Sequence, residues 1–373
     1  MMIINLFIKI LNKNPINSRM PTKINVIYLL PANKKPAGGS KLIYEHSEII
    51  NSLKLDQISS QILNIKKNKI GKIFNSLKKK LNLLEKNKFG WNANDLTVDK
   101  NFIPSKKWIK NKISKKKDMN FNPNSDFLII PEIMAHLAED FCINKKIKYA
   151  IFTMGAYAMN SCSNHERLKK CYLNAEFILT ISDDTNNCLT HIFPNLKKKI
   201  LKIILSIDSS KLKIKKKKNL ITYMPRKLGS DSHILSFFLK QNLPNNWKIL
   251  SLNDLNEEEL FKYLSHSKIF LSFSDLEGFG LPPLEAALAG NKVIGYTGEG
   301  GKEYWKSPLF QEIPKGNILE FSKQVLNFIK KKDQYWYKKV NRYRQKLFIT
   351  YSRKNEITCI KKMLKKITHS FSK

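Results

Sequence analysis

The chain of 373 residues is long enough for two ordinary domains, and its 42% hydrophobic content is that of a folded soluble protein, which excludes disorder for most of its length. Net charge is +37, yet only six of the 67 basic residues are arginine, and the lysines are scattered. Such a distribution fits either a lysine-favouring composition or a basic face that meets an anionic lipid or substrate; it is a poor kit for reading bases, so nucleic acid is not expected as a partner.

The opening stretch MMIINLFIKILNKN carries an apolar run of about ten residues interrupted by Lys9, short of the roughly twenty that span a bilayer. It reads either as a short amphipathic anchor or as sequence ahead of a start at Met20, the second being preferred because a strand follows directly; residues 1–20 are set apart as an extension. Five cysteines at 142, 162, 171, 188 and 359 form no CxxC pair, the pattern of reduced core thiols in a cytoplasmic protein. KINVIYLLP (23–31) predicts a strand, followed by a glycine turn at Gly38 and Gly39 and an amphipathic helix, the opening unit of a Rossmann-like domain. Further strands are expected at 126–133, 148–154 and 175–182, and their alternation with helical patterns implies a parallel sheet. The lysine-rich stretch 64–118 is expected to be surface helix and loop. His136 and His165 stand in no motif, and a lone histidine is more often structural than functional.

After a hinge near 196–216, the βα alternation restarts at NLITYMPRK. This divides the chain into a first domain at 21–200, a second at 201–345, and terminal helices at 346–373. WKILSLND predicts a strand, and Asn256 with Glu259 three residues on forms a capping box for the next helix, which explains that acidic cluster without chemistry. KIFLSFSD (268–275) is a β-branched and aromatic run, expected to be a buried strand. Then comes EGFGLPPLEAALAG, in which Glu277 and Glu285 stand eight positions apart. Gly278, Gly280, Pro282 and Pro283 forbid one continuous helix, so Glu277 is assigned to a loop and Glu285 to a first helical turn. A strand, a glycine loop and a helix start bring backbone N–H groups and a positive helix end to the carboxyl edge of a parallel sheet, where phosphate is favoured. KVIGYTGEGG repeats the strand and glycine loop, and long helical patterns run from Ile318 to the end.

EGFGLPPLEAALAGNKVIG followed by GEGGKEYW resembles the nucleotide-sugar-binding core of retaining glycosyltransferases of family 4, the group 1 enzymes with the two-domain GT-B fold. The resemblance is specific in the C-terminal half and weaker over both domains. It implies an α/β GT-B architecture: two Rossmann-like parallel-sheet domains facing across a cleft, with C-terminal helices packing back over the junction. It also implies that Glu277 faces the donor sugar and Glu285 accepts hydrogen bonds from the nucleotide ribose. The family neutralises the donor diphosphate with a basic pair after the first strand of the second domain. Here Arg226 and Lys227 are offered, although they are adjacent where the family spaces them. Gly278, Phe279, Gly280 and Leu281 would line the donor, Gly38 and Gly39 would let backbone approach the phosphate or acceptor, and Gly300 and Gly301 belong to the second glycine loop. The implied function is transfer of a sugar, with retention, from a nucleotide diphosphate sugar to a glycan or lipid-linked acceptor in cell-envelope or exopolysaccharide synthesis, by a hexosyltransferase at the inner face of the plasma membrane. Sugar-nucleotide epimerisation on the same fold is the alternative. No cofactor is implied. No Asp-x-Asp pair is present and Ser182, Asp183 and Asp184 have the wrong spacing for one, so a metal is not expected.

Overall fold

The computed structural model describes residues 23–33, 38–68, 91–104, 114–162, 164–208, 210–225, 228–330 and 333–372, and at 333–339 the description is of backbone alone. Two sheets organise the chain. The first contains β1 (Ile24–Pro31), β2 (Ile58–Lys67), β3 (Leu96–Val98), β4 (Asp126–Pro131), β5 (Lys148–Thr153), β6 (Phe177–Thr180) and β7 (Ile200–Lys202), in the order β3-β2-β1-β4-β5-β6-β7. All its pairings are parallel except β2 with the edge strand β3. Every residue of β4 and of β6 is buried, as expected of strands covered by helices on both faces.

The helices are α1 (Gly38–Ser52), the single turn α2 (Ala138–Phe141), α3 (His165–Asn174), α4 (Asp183–Ile192), α5 (Gly229–Lys240), α6 (Glu257–His266), α7 (Leu281–Leu288), α8 (Ile318–Ile329), α9 (Asp333–Thr350) and α10 (Arg353–Phe371). The second sheet contains β8 (Lys218–Tyr223), β9 (Lys248–Ser251), β10 (Ser267–Glu277), β11 (Lys292–Glu299) and β12 (Phe310–Glu312), all parallel, in the order β12-β11-β10-β8-β9. In each sheet the chain reverses its direction of travel once, between β1 and β4 and between β8 and β10. Crevices at the carboxyl ends of such strand pairs are where open α/β sheets bind ligands.

The terminal helix α10 belongs to the first domain's packing. Its Ile360, Met363, Leu364 and Ile367 join the core formed by β1 and α1, and Phe371 meets Phe127 edge-on at 6.5 Å between ring centroids. Glu356, buried on α10, lies 3.6 Å from the buried His46 of α1 and accepts hydrogen bonds from Ser206 at 2.5 Å and Arg353 at 2.8 Å. Ser206 and Arg353 both bond its Oε2, and the His46 ring faces Oε1 without a hydrogen bond, which offsets part of the cost of burying the carboxylate.

Two expectations need correction. The stretch 64–118 is not only surface helix and loop: residues 64–67 complete β2, residues 96–98 form β3, and 69–90 and 105–113 lie outside the described residues. β2 reads as polar, but its buried Ser60 and Asn64 are satisfied by Ser47 and Tyr44 of α1 at 2.9 and 3.2 Å. The predicted strand 126–133 stops at Pro131, and Glu132 opens a 3-10 turn to Leu137.

Candidate active site

Three segments converge where the domains meet. From the second domain, β10 runs on to Glu277, whose Cα pairs with Glu299 of β11 after a register shift beyond Ser274. Glu277 is therefore the last strand residue and not a loop residue, because the bulge lets the strand continue past Asp275. The chain turns through Gly278 and Phe279 to Gly280, which adopts φ +78°, and enters α7. Phe279 is buried against Tyr304 and Tyr351, with centroid separations of 5.3 and 5.4 Å, and the Gly280 carbonyl accepts the Tyr304 hydroxyl at 2.5 Å. These contacts fix the turn from beneath. α7 begins at Leu281 with Pro282 and Pro283 behind it, so Glu285 is its fifth residue, one position past the first turn. The two prolines also remove two of the N–H groups that a helix start would otherwise offer an anion; Leu281 and Leu284 retain theirs.

From the first domain, Met154 and Gly155 follow β5 and press against the same turn. A Cβ on Gly278 would stand 1.6 Å from the Met154 carbonyl oxygen, and one on Gly155 would stand 3.6 Å from the Gly278 nitrogen. Gly39, at the start of α1, packs on the other side of Met154, with the Sδ atom 3.2 Å from its own Cβ position. Gly38 is exposed and has open space. The third segment is the loop after β11. The Gly300 amide donates to the Glu277 carbonyl at 3.2 Å, and a Cβ there would stand 2.2 Å from the Gly278 carbonyl oxygen. Gly301 is confined in the same way by the Thr297 carbonyl, at 2.5 Å. Gly39, Glu277, Gly278, Gly280, Gly300 and Gly301 thus come together, while Arg226 and Lys227 lie outside the described residues.

Around Glu285 the structure assembles a charged group the sequence does not display. Lys41, in the first turn of α1, reaches across to Glu257 at the start of α6 at 2.5 Å and lies 3.9 Å from Glu45. Lys211 holds the second oxygen of Glu257 at 2.8 Å. Desolvation pushes the Glu285 carboxyl up to about 7; the Lys41 charge opposes this and the Glu257 and Glu45 charges reinforce it. Three carboxylates, Glu45, Glu257 and Glu285, share two lysines, and Glu257 holds both most closely. Glu285 is thereby left with an acceptor group that protein cations do not occupy at hydrogen-bonding distance among the described residues, an arrangement suited to neutral donors such as sugar hydroxyls.

The capping box expected at Asn256 and Glu259 is present, with both reciprocal bonds at 2.9 Å. Glu257, between them, is the member that the sequence left without a partner. His136 is buried with Nε2 2.7 Å from the Trp91 carbonyl, and His165 is exposed at the start of α3; neither enters the site. Asp183 pairs with Lys202 at 2.7 Å and Asp184 accepts the Tyr157 hydroxyl at 3.1 Å. Among the described residues no group of three His, Cys, Asp or Glu side chains could hold a metal ion, and no helix is long and apolar enough to cross a membrane.

Two parallel-sheet α/β domains meeting at the carboxyl ends of their strands define the GT-B fold, and the chain has it. Similar solved structures are sucrose-phosphate synthase from Thermosynechococcus elongatus (TM-score 0.61, 10% identity, 93% of this chain and 100% of that one) and TarM from S. aureus with fondaparinux, alpha-GlcNAc-glycerol and UDP (0.61, 11%, 94% and 100%). HepE from Anabaena, solved with UDP and glucose, is similar at TM-score 0.59 and 11% identity over 93% of this chain and 100% of that one. At such identities the likeness is one of fold. A curated relative, an alpha-1,6-glucosyltransferase of Actinobacillus pleuropneumoniae serotype 7, is 31% identical over 80 residues, which are 21% of this chain and 24% of that protein. The matched stretch thus spans about a quarter of the relative's length. No protein-family model matches the chain.

Proposed function

We propose that the protein is a glycosyltransferase that moves a hexosyl group, with retention, from a nucleotide diphosphate sugar to a glycan or lipid-linked acceptor. The observation that carries this reading is the placement of Glu277 directly before the Gly278–Leu281 turn and Glu285 on the helix after it, with Gly278 abutting Gly155 of the opposite domain. The GT-B fold, the similarity to UDP-bound structures and the short match to a glucosyltransferase support it.

In this reading the second domain holds the donor. Glu285 accepts the ribose hydroxyls and Glu277 lies by the sugar, with Phe279 and Leu281 shaping the turn. Departure of the nucleoside diphosphate builds negative charge, which Arg226, Lys227 and the backbone N–H groups of Gly38, Gly39 and Gly301 stabilise, the Gly300 amide being given to the Glu277 carbonyl. No metal or other cofactor takes part. The acceptor enters on the first-domain side, where Met154 and Gly155 meet the donor turn. The net charge of +37 supports work at an anionic cytoplasmic membrane face, in envelope or exopolysaccharide assembly.

A panel of nucleotide sugars tests the reading by calorimetric binding and by release of the nucleoside diphosphate with and without acceptor glycans. One nucleotide sugar should bind and turn over. Interconversion of sugar epimers in the absence of acceptor would replace transfer with epimerisation, and no binding across the panel would refute both.

A further inference from the structure

Glu132 is a buried carboxylate that the transfer scheme above does not use. It follows the central strand β4 directly, at the carboxyl edge beside the β1–β4 crevice, and is 6% exposed. Its Oε2 accepts the Met154 amide at 3.2 Å, and the Gly155 amide lowers the carboxyl electrostatically from the next residue. Those two residues are the first-domain half of the junction: Met154 carries Gly39 on one side and Gly278 on the other, and Gly155 abuts Gly278. One side chain therefore holds the backbone of a segment that touches both glycine turns.

An apolar residue would fill this place with less cost if packing were all it served, because a buried carboxylate without a cation is expensive. Burial pushes Glu132 up to about 7, and the Met154 and Gly155 amides draw it back. The titratable group coupled to it from α3 is Tyr172, whose hydroxyl lies 3.0 Å from Thr153 Oγ1 at the end of β5. No basic side chain among the described residues forms an ion pair with it. What the carboxylate supplies is an acceptor for the Met154 N–H and a negative charge beside the Gly155 N–H, which an apolar side chain cannot offer.

We propose that Glu132 is a positioning residue: it fixes the Met154–Gly155 turn against Gly39 and Gly278 and so sets the separation between acceptor and donor halves of the site. This rests on the transferase reading. The expected consequence is a loss in turnover and not in donor affinity, since the donor is held by the other domain and a misplacement of about 1 Å can cost a factor of about 100.

The test compares the wild type with Glu132→Leu and Glu132→Gln in three measurements: kcat at saturating donor, nucleotide Kd, and hydrogen exchange of the peptide carrying residues 154 and 155. Glu132→Leu should exchange about tenfold faster there and lose about 100-fold in kcat, with nucleotide Kd within about twofold of wild type. Glu132→Gln, which keeps one acceptor oxygen, should recover about tenfold of that kcat. A folded Glu132→Leu with wild-type kcat, or with its whole loss in nucleotide Kd, overturns the proposal. Should Glu132→Leu fail to fold, wild-type kcat and exchange in Glu132→Gln would overturn it equally. If the wild type turns over no nucleotide sugar, the transferase reading falls, and the exchange measurement alone still decides whether the carboxylate holds the turn.

Discussion

Replacing Glu285 with alanine should weaken nucleotide binding by one to two orders of magnitude, and the arithmetic follows from its surroundings. A carboxylate accepting two ribose hydroxyls gains about 1.5–3 kcal/mol for each charge-assisted bond, about 3–6 kcal/mol in all. Against this stands the cost of ionising a desolvated carboxyl that has been raised from its usual value to about 7, about 3 kcal/mol at most and less where solvent still reaches it. The difference is about 0–3 kcal/mol at the full cost and about 1.5–4.5 kcal/mol at half of it, so the middle of the range, about 1.5–3 kcal/mol, is a factor of about 10 to 150 in Kd. Lys41 and Lys211 offset little of that cost, since both are drawn to Glu257. The same shift dictates a pH dependence. Ribose hydroxyls bind best to the ionised form, so affinity should rise with pH up to about 7.5 and level off, falling by at most about tenfold per unit below pH 6. Folding stability should respond in the opposite sense. A carboxyl with a raised folded pKa binds protons better in the native state, so its contribution is present at low pH and is lost as pH rises through about 7. Glu285→Gln should therefore be more stable than wild type at pH 8 and no more stable at pH 5. Calorimetric titration with nucleoside diphosphate over pH 5.5–8.5 and thermal melts over the same range decide it. Unchanged Kd in a folded Glu285→Ala protein, or a pH-independent wild-type Kd, would refute the assignment.

Glu277→Gln should lower kcat by about 100-fold or more while nucleotide Kd stays within about threefold, because the proposed scheme puts the residue by the sugar and not the nucleotide; wild-type turnover at saturating donor removes it from the site. Gly278→Ala places a Cβ 1.6 Å from the Met154 carbonyl, so the domains must separate locally; a melting point lower by several degrees and loss of turnover are expected, about 1–3 kcal/mol being typical of overpacking. Gly38→Ala meets nothing within 4 Å and should keep wild-type stability, so any loss of donor affinity there reports close approach by the ligand itself. For the membrane, sedimentation with anionic but not neutral vesicles is expected, abolished by raised salt; failure to sediment with anionic vesicles at low salt withdraws the membrane role.

The strands legible in the sequence are the ones with a strong apolar or β-branched run. KINVIYLLP and DFLIIP have few polar groups to satisfy. KIFLSFSD buries Ser272 and Ser274, but alternates them with Phe270, Leu271 and Phe273, and Ser272 is satisfied by Ser274 and the Tyr296 carbonyl. Each strand lies in the body of its sheet. β2 is illegible because ISSQILNIKK buries Ser60 and Asn64, and whether a buried polar side chain is tolerated depends on partners that arrive from another element. The same limit applies to the site. Glycine and proline announce backbone requirements locally, which is why the turn at 278–283 is legible from its own residues. The ion pair of Lys41 with Glu257 joins residues 216 positions apart, and in a chain with 67 basic residues no spacing marks one lysine out. Glu257 is hidden within a capping box that is real, since a residue at the start of a helix can serve its helix and a partner at once.

Glu303 shows what the second glycine loop is built to do. By resemblance GEGGKE belongs to the donor site, yet its Glu303 is bound on three sides by protein: the Asp183 amide at 2.8 Å, the Lys202 ammonium at 2.8 Å and the Tyr351 hydroxyl at 3.2 Å. Those partners come from the first domain and from the end of α9, so the carboxylate ties three parts of the chain together. Gly300 and Gly301 are likewise demanded by the carbonyls of Gly278 and Thr297, whatever ligand lies nearby. The motif therefore encodes a packing requirement first: the loop after β11 must lie flat on the turn after β10 so that Met154 and Gly155 can close over both. A donor bound there would meet a surface already set by glycines that touch one another, and a side chain added to that stack would move the two halves of the site apart before it met any sugar.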